Sequence, residues 1–144
     1  MINSIDIKEK DRFNELGLLV NSKFSTLFNL DDILSSVYDY VYGYYIEDKL
    51  IGFIHCTKMY EQVDIVNVVV DKEYRKQGIG TKLLNYVFDT FNDVSNYILE
   101  VNEKNSAAIN LYSVNNFVVI NKREKYYGND DALIMKRDVV NEGC

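Results

Sequence analysis

Apolar positions alternate between helical and strand spacing along the chain, and the changes of spacing mark its elements. Ile2, Ile5 and Ile7 predict a short first strand. From Lys8 to Phe24 the apolar residues Phe13, Leu16, Leu19, Val20 and Phe24 recur at helical intervals, predicting one amphipathic helix. Asn29-Leu-Asp-Asp32 supplies N-caps for a second, short helix through Val37. The aromatic run Tyr38–Tyr45 fits a core or the lining of a groove, with core the expectation. Strand spacing begins at Gly43: Tyr44–Glu47 and Leu50–Thr57 flank Asp48-Lys49, a connection of hairpin length. Val63–Val70 ends in three consecutive valines, a pattern that implies burial on both faces.

A polar turn follows that strand and leads through Gly78 and Gly80 into a helix marked by Ile79, Leu83, Leu84, Val87, Phe88 and Phe91. The first N–H groups of a helix lack intrahelical partners and carry partial positive charge. Without a Cβ at Gly78 and Gly80 an anion can approach that backbone, so the stretch reads as a phosphate cradle. Tyr97–Val101 is the next strand, and Asn105 or Ser106 caps a helix reaching Tyr112. Asn115-Asn116 stops it, since asparagine tolerates the left-handed conformation. Phe117–Ile120 and Asp131–Lys136 are closing strands, and the tail after Arg137 is expected to fray. The order implies one α/β domain over residues 1–144 with a mixed sheet.

Composition narrows the function classes. Of 144 residues, 47% are apolar and 26% charged, as in an ordinary globular domain. No apolar run is long enough for a membrane span, and the first residues lack the pattern of a signal peptide, so a cytoplasmic protein away from membranes is expected. A net charge of −6 argues against nucleic acid as a partner. Basic residues Lys72, Arg75, Lys76 and Lys82 nevertheless crowd the glycine turn, while the acidic remainder suits a positively charged second substrate. Cys56 and Cys144 give neither a disulfide framework nor metal-ligand spacing, so no metal is expected. Cys56 reads as a core residue and Cys144 as a loose thiol. His55, the single histidine, lies in a strand with no carboxylate near it in sequence, which argues against a triad.

Arg75-Lys-Gln-Gly-Ile-Gly80 resembles the Arg/Gln-x-x-Gly-x-Gly/Ala signature of the GNAT N-acetyltransferase superfamily. Leu99-Glu-Val101, Asn105-Ser-Ala-Ala-Ile-Asn-Leu-Tyr112 and Asn116-Phe117 are similar to a pattern of its protein Nα-acetyltransferases, as are Lys125-Tyr-Tyr127 and Asp131-Ala-Leu-Ile-Met135. Within that group the likeness is to the bacterial ribosomal-protein-alanine N-acetyltransferases. It covers residues 67–136, with Asn116 in place of the usual glycine. Before about Tyr60 there is no close match and no tryptophan, and that half shapes the acceptor site.

The resemblance implies a mixed, mainly antiparallel sheet of six to seven strands flanked by about four helices and splayed where acetyl-CoA binds. It further implies acetyl transfer from acetyl-CoA to a protein N-terminus, with a ribosomal protein among the acceptors. Amides of Val68, Val69 and Val70 would face the thioester and pantetheine, and Arg75, Lys76, Gln77, Gly78, Ile79, Gly80 and Thr81 the pyrophosphate. Glu100 would be the base; its apolar strand predicts a desolvated, strengthened carboxylate, with Glu103 as rival. Asn105, Ala108, Ile109 and Tyr112 share a helix face, so Asn105 would reach pantetheine and Tyr112 would protonate the departing thiolate. Tyr126 and Tyr127 would close over the acceptor, or form an edge aromatic pair. Two other readings stay open: acetylation of a small amine or lysine, and a non-catalytic acyl-CoA-binding module. The motifs of other nucleotide-binding folds do not follow the strand.

Overall fold

The computed structural model describes residues 1–139. Cys144 and the end of the tail lie outside the described residues. Seven strands form one sheet: β1 (Ile2–Ser4), β2 (Asp39–Ile46), β3 (Lys49–Met59), β4 (Gln62–Val70), β5 (Asn96–Asn102), β6 (Val118–Tyr127) and β7 (Asp130–Asp138). Their order is β1-β2-β3-β4-β5-β7-β6, and only the β4–β5 pair is parallel. The helices are α1 (Lys10–Gly17), the single turn α2 (Phe24–Leu27), α3 (Leu30–Ser35), α4 (Ile79–Thr90) and α5 (Ser106–Val114). The mixed, mainly antiparallel sheet is the expected architecture.

Two cores hold the layers together. On one face Phe13 and Leu16 of α1, Phe24 of α2 and Leu30 of α3 pack on Leu50, Phe53 and Val69. On the other, Ile79, Leu83, Leu84 and Val87 of α4 and Tyr112 of α5 pack on Ile54, Ile65, Leu99 and Val101. Each fully buried Leu or Phe contributes about 1.5–3 kcal/mol. Cys56 is buried, and burial pushes its thiol up to about 12. Tyr42 joins the second core, with Tyr40 and Tyr44 packed against it, so the aromatic run is core from Tyr40 onward, while Tyr38 is exposed. Tyr40 meets Phe91 and Tyr42 meets Tyr86 edge-on.

Several boundaries differ from the periodicity. The helix predicted from Lys8 to Phe24 is broken: a 3-10 turn at Ile7–Glu9 precedes α1, which ends at Gly17, and the chain turns back before α2. A Cβ on Gly17 would lie 2.1 Å from Cδ1 of Phe24, so the bare glycine lets the Phe24 ring settle on α1. The helix expected through Val37 ends at Ser35, and the aromatic run becomes β2 from Asp39. The β2–β3 turn is Glu47-Asp48, one residue early, with both residues at positive φ. β6 runs on to Tyr127, well past Ile120. Strand pairing reaches Asp138, opposite Asn96, and Val139 donates to the Ser95 carbonyl at 2.8 Å, so the chain beyond Arg137 stays tied to the sheet there.

Candidate active site

The site begins where two strands part. β4 and β5 pair from Gln62–Asn96 to Ile65–Leu99 and no further. β5 stays with β7 as far as the Asn102–Ala132 pair, while β4 stays with β3 to the Val70–Gly52 pair. At the parting point β4 carries a bulge, because His55 opposes Asn67 and Cys56 opposes Ile65, leaving Val66 unmatched. A bulge bends its strand and increases local twist. Beyond Ile65 the open edge of β4 therefore offers backbone groups that no strand uses. The valine run is correspondingly less enclosed than expected: Val69 is buried, but Val68 and Val70 are half-buried.

A cleft of about 790 Å³ opens at this fork. It brings together Val68, Glu100, Asn105, Tyr112, Tyr126 and Tyr127, six of the residues singled out from sequence. Ala108 lines it too, whereas Ile109, expected on the same face, packs against the second core. Glu103 lies outside the cleft, 3.4 Å from Lys122.

Glu100 points away from the core face that holds Leu99 and Val101. The desolvation expected of it does not occur. Its side chain is 31% exposed, because the neighbouring strand has left, and its carboxylate lies 3.2 Å from the Arg123 guanidinium. Tyr112 is buried, with its ring edge-on to Phe117, and burial pushes its phenol up to about 12, helped by nearby Tyr127. Asn105 caps α5, its side-chain oxygen accepting from the Ala108 N–H at 3.1 Å, which leaves its NH₂ group for the cleft. Tyr126 and Tyr127 stack edge-on at 5.1 Å and both remain over 40% exposed at the rim. Burial, then Glu100, raise the Tyr127 phenol above its ordinary value. Arg123 sits 5.4 Å from the Tyr126 ring centroid, which completes this wall.

The glycine turn lies apart from that lining. Lys76 and Gly78 both have positive φ, and Gly78 leads directly into α4 without any side-chain cap. Around Gly78 a Cβ would meet nothing within 4 Å, so its φ of +77° and the open space beside the helix start fit a bound anion. Gly80 has a different reason: a Cβ there would lie 3.1 Å from Leu111, so its bareness lets α4 approach α5. Thr81 accepts from the Asn115 amide at 3.2 Å, which also donates to the Leu111 carbonyl at 2.8 Å. Ile79 is buried in the core, so of the turn's residues it offers backbone alone. Arg75 folds back onto the Val70 carbonyl at 3.3 Å, and Gln77 is exposed. This turn can hold a pyrophosphate mainly through N–H groups.

Four residues in or beside the site have contacts that escaped the sequence reading. Arg123 became visible only through the β6–β7 pairing, and Asn115 only through α4–α5 packing. His55 does have a carboxylate, supplied from β2: its Nε2 lies 2.6 Å from Asp39. Burial holds the imidazole below its ordinary pKa, with Asp39 acting the other way. Asn67, opposite His55, lines the cleft and has a buried side-chain nitrogen without a partner.

Comparison with known proteins agrees with this geometry. The chain is 33% identical over 93 residues to the [ribosomal protein bS18]-alanine N-acetyltransferase of Escherichia coli (strain K12), a match covering 60% of this chain and 63% of that protein's length. The crystal structure of the ribosomal-protein-S18-alanine N-acetyltransferase from Escherichia coli superposes with a TM-score of 0.84 at 22% identity, covering 100% of this chain and 97% of that one. PaiA N-acetyltransferase from Thermoplasma acidophilum, solved in complex with coenzyme A, gives 0.81 at 19% identity, with coverages of 96% and 98%. The model of the acetyltransferase (GNAT) family matches residues 12–117. As that match takes in well over half of the sequence, the chain belongs to the GNAT acetyltransferase family.

Proposed function

We propose that this chain transfers an acetyl group from acetyl-CoA to the N-terminal α-amine of a protein, a ribosomal protein being the acceptor that its E. coli relative's name points to. The observation that carries the reading is the fork past Ile65 and Leu99, where Glu100 and Tyr112 line one cleft beneath Tyr126 and Tyr127. The open edge of β4 and the turn from Arg75 to Thr81 would hold acetyl-CoA along its pantetheine and pyrophosphate, with Asn105 reaching the pantetheine arm.

The residues divide the proton work. An α-ammonium has a pKa of about 8 against about 10.4 for lysine, so a modest base at neutral pH suffices to free it. Glu100 accepts that proton while the neutral nitrogen forms its bond to the acetyl carbon. Tyr112 donates a hydrogen bond to the sulfur as the carbon–sulfur bond breaks. Because burial pushes that phenol up to about 12, it stays protonated at neutral pH. A thiol has a pKa of about 8.5, so full proton transfer from Tyr112 runs uphill. Its contribution is therefore a hydrogen bond that stabilises the developing negative charge, and the departing thiolate takes its proton from solvent. Tyr126 and Tyr127, at the rim, would seat the chain that follows the amine.

Matched peptides with free and blocked N-termini, assayed for CoA release with the full chain, test the reading. Turnover should require the free α-amine. Acetylation of blocked peptides that carry only a lysine amine would overturn it in favour of a side-chain or small-amine acetyltransferase.

A further inference from the structure

We propose that Asn67 and His55 read the side chain of the acceptor's first residue, and that the group they select is a hydroxyl. The inference rests on the N-terminal reading above and deepens it.

Position comes first. Ile65 and Leu99 are the last paired residues of the fork, so Glu100 is the next residue on β5. On β4 the bulge at Val66 makes Asn67 the next residue in register with β3. Asn67 and Glu100 therefore stand level across the opening. Both lie on the face opposite α4, since Ile65, Leu99 and Val101 occupy the α4-side core while Val69, two residues from Asn67, belongs to the other. A paired strand would sit about 4.8 Å away, and here the gap has just begun to widen. An α-amine beside Glu100 thus directs the substituent on its Cα toward the Asn67 wall. Three bonds separate the amine nitrogen from the hydroxyl of a serine or threonine.

Chemistry then narrows the group. Asn67 has a buried NH₂ nitrogen with no partner, though the residue lines the cleft. Its cross-strand neighbour His55 is 3% exposed, and its Nδ1 is likewise buried with no partner. Directly opposed side chains in an antiparallel pair start from Cβ atoms about 4.5–5.5 Å apart, so a small group that reaches Asn67 at the cleft wall would come next to His55, which stands behind it outside the lining. Nε2 of His55 faces the Asp39 carboxylate at 2.6 Å, which places the imidazole proton there and leaves Nδ1 a bare lone pair. Burial keeps the ring neutral by lowering its pKa. The two waiting groups are therefore one donor and one acceptor. A hydroxyl satisfies both at once; a methyl satisfies neither, an ammonium only donates and a carboxylate only accepts. Leu27 and Phe28 form the apolar rim, the Phe28 ring standing edge-on to His55 at 5.9 Å, and would accommodate the methyl of threonine.

The test uses the full chain and peptides that differ only in a first residue of Ser, Thr, Ala or Val. Two hydrogen bonds made to Ser and absent for Ala imply kcat/KM for Ser roughly tenfold or more above Ala. Asn67→Ala should bring that ratio to within about twofold, and His55→Phe should do the same. Thermal unfolding and acetyl-CoA affinity report whether each variant is folded; Asn67 is half-buried at the cleft, so its variant decides the matter if His55→Phe does not fold. Equal or better use of Ala, or a Ser/Ala ratio untouched by Asn67→Ala, overturns hydroxyl selection and leaves the N-terminal function standing. Acetylation of none of these peptides, beside activity on a lysine or small amine, overturns both.

Discussion

Glu100 and Arg123 already share a contact of 3.2 Å at the cleft, so an incoming ammonium meets a carboxylate that has a cation beside it. In the proposed mechanism the acceptor's cation would compete with Arg123 for the same oxygen, while the guanidinium already lies over the Tyr126 ring. Binding of the acceptor and release of Glu100 for proton transfer would then be one event. Replacing Glu100 by Gln keeps the shape and removes the base, for which a loss of about 10²–10⁴ in kcat is expected. Tyr112→Phe removes a single hydrogen bond to the developing thiolate, for which about 10² is expected. Acetyl-CoA affinity should change little in either variant, because neither side chain belongs to the pyrophosphate turn. Steady-state kinetics with calorimetric binding check this; unchanged turnover in both would take these residues out of the mechanism.

At the scale of elements, α1 shows what periodicity misses. Phe13, Leu16, Leu19, Val20 and Phe24 keep helical spacing through a stretch where the helix stops, because the spacing does not record that Phe24 returns to lie on Gly17. Gly17→Ala should therefore do more than stiffen a helix end. Its Cβ would fall 2.1 Å from a ring that is itself fully buried between Phe13 and Phe53, so the ring has nowhere to go. Overpacking of this kind costs about 1–3 kcal/mol, to be read as a lower midpoint in urea with an unchanged slope; a variant as stable as the parent would show that α2 can slide. Other elements were legible because their signals are local. Gly78, Asn105 and Asn116 each stand where a left-handed turn or a cap requires them, and α4 repeats its apolar face without interruption. The fork of β4 and β5 was legible only by resemblance, since it arises from the unmatched Val66 and no residue type announces a bulge.

Across the whole molecule, the anion-binding turn of the proposed site is written in one continuous stretch, while its acceptor half is assembled from distant ones. Arg12 of α1 reaches the Leu50 carbonyl at 2.8 Å and Asp71 at 2.6 Å, tying the first helix to the start of the glycine turn across 59 residues. Asp39 and His55 are joined in the same way, and neither pairing has a sequence signature. This assembly buries groups that resist ionisation, which sets the molecule's response to alkali. The phenols of Tyr42, Tyr97 and Tyr112 are each pushed up to about 12, chiefly by burial, against an ordinary value near 10. The Cys56 thiol is pushed up to about 12 for the same reason. In the unfolded chain these groups lose their protons near their ordinary values; in the folded chain they hold them. Between about pH 10 and 12 the unfolded state therefore binds fewer protons, and stability falls as pH rises. Below about pH 8 both states are protonated at these positions, which then add no slope. The unfolding midpoint should accordingly be insensitive to these groups at neutral pH and drop steeply above about pH 10, with part of the phenolate absorbance appearing only as the chain unfolds. Tyr112→Phe removes one of these raised phenols and should make the alkaline drop shallower. Titration of all twelve tyrosines near their ordinary pKa, with the midpoint unmoved, would show that these rings are reached by solvent in the folded state.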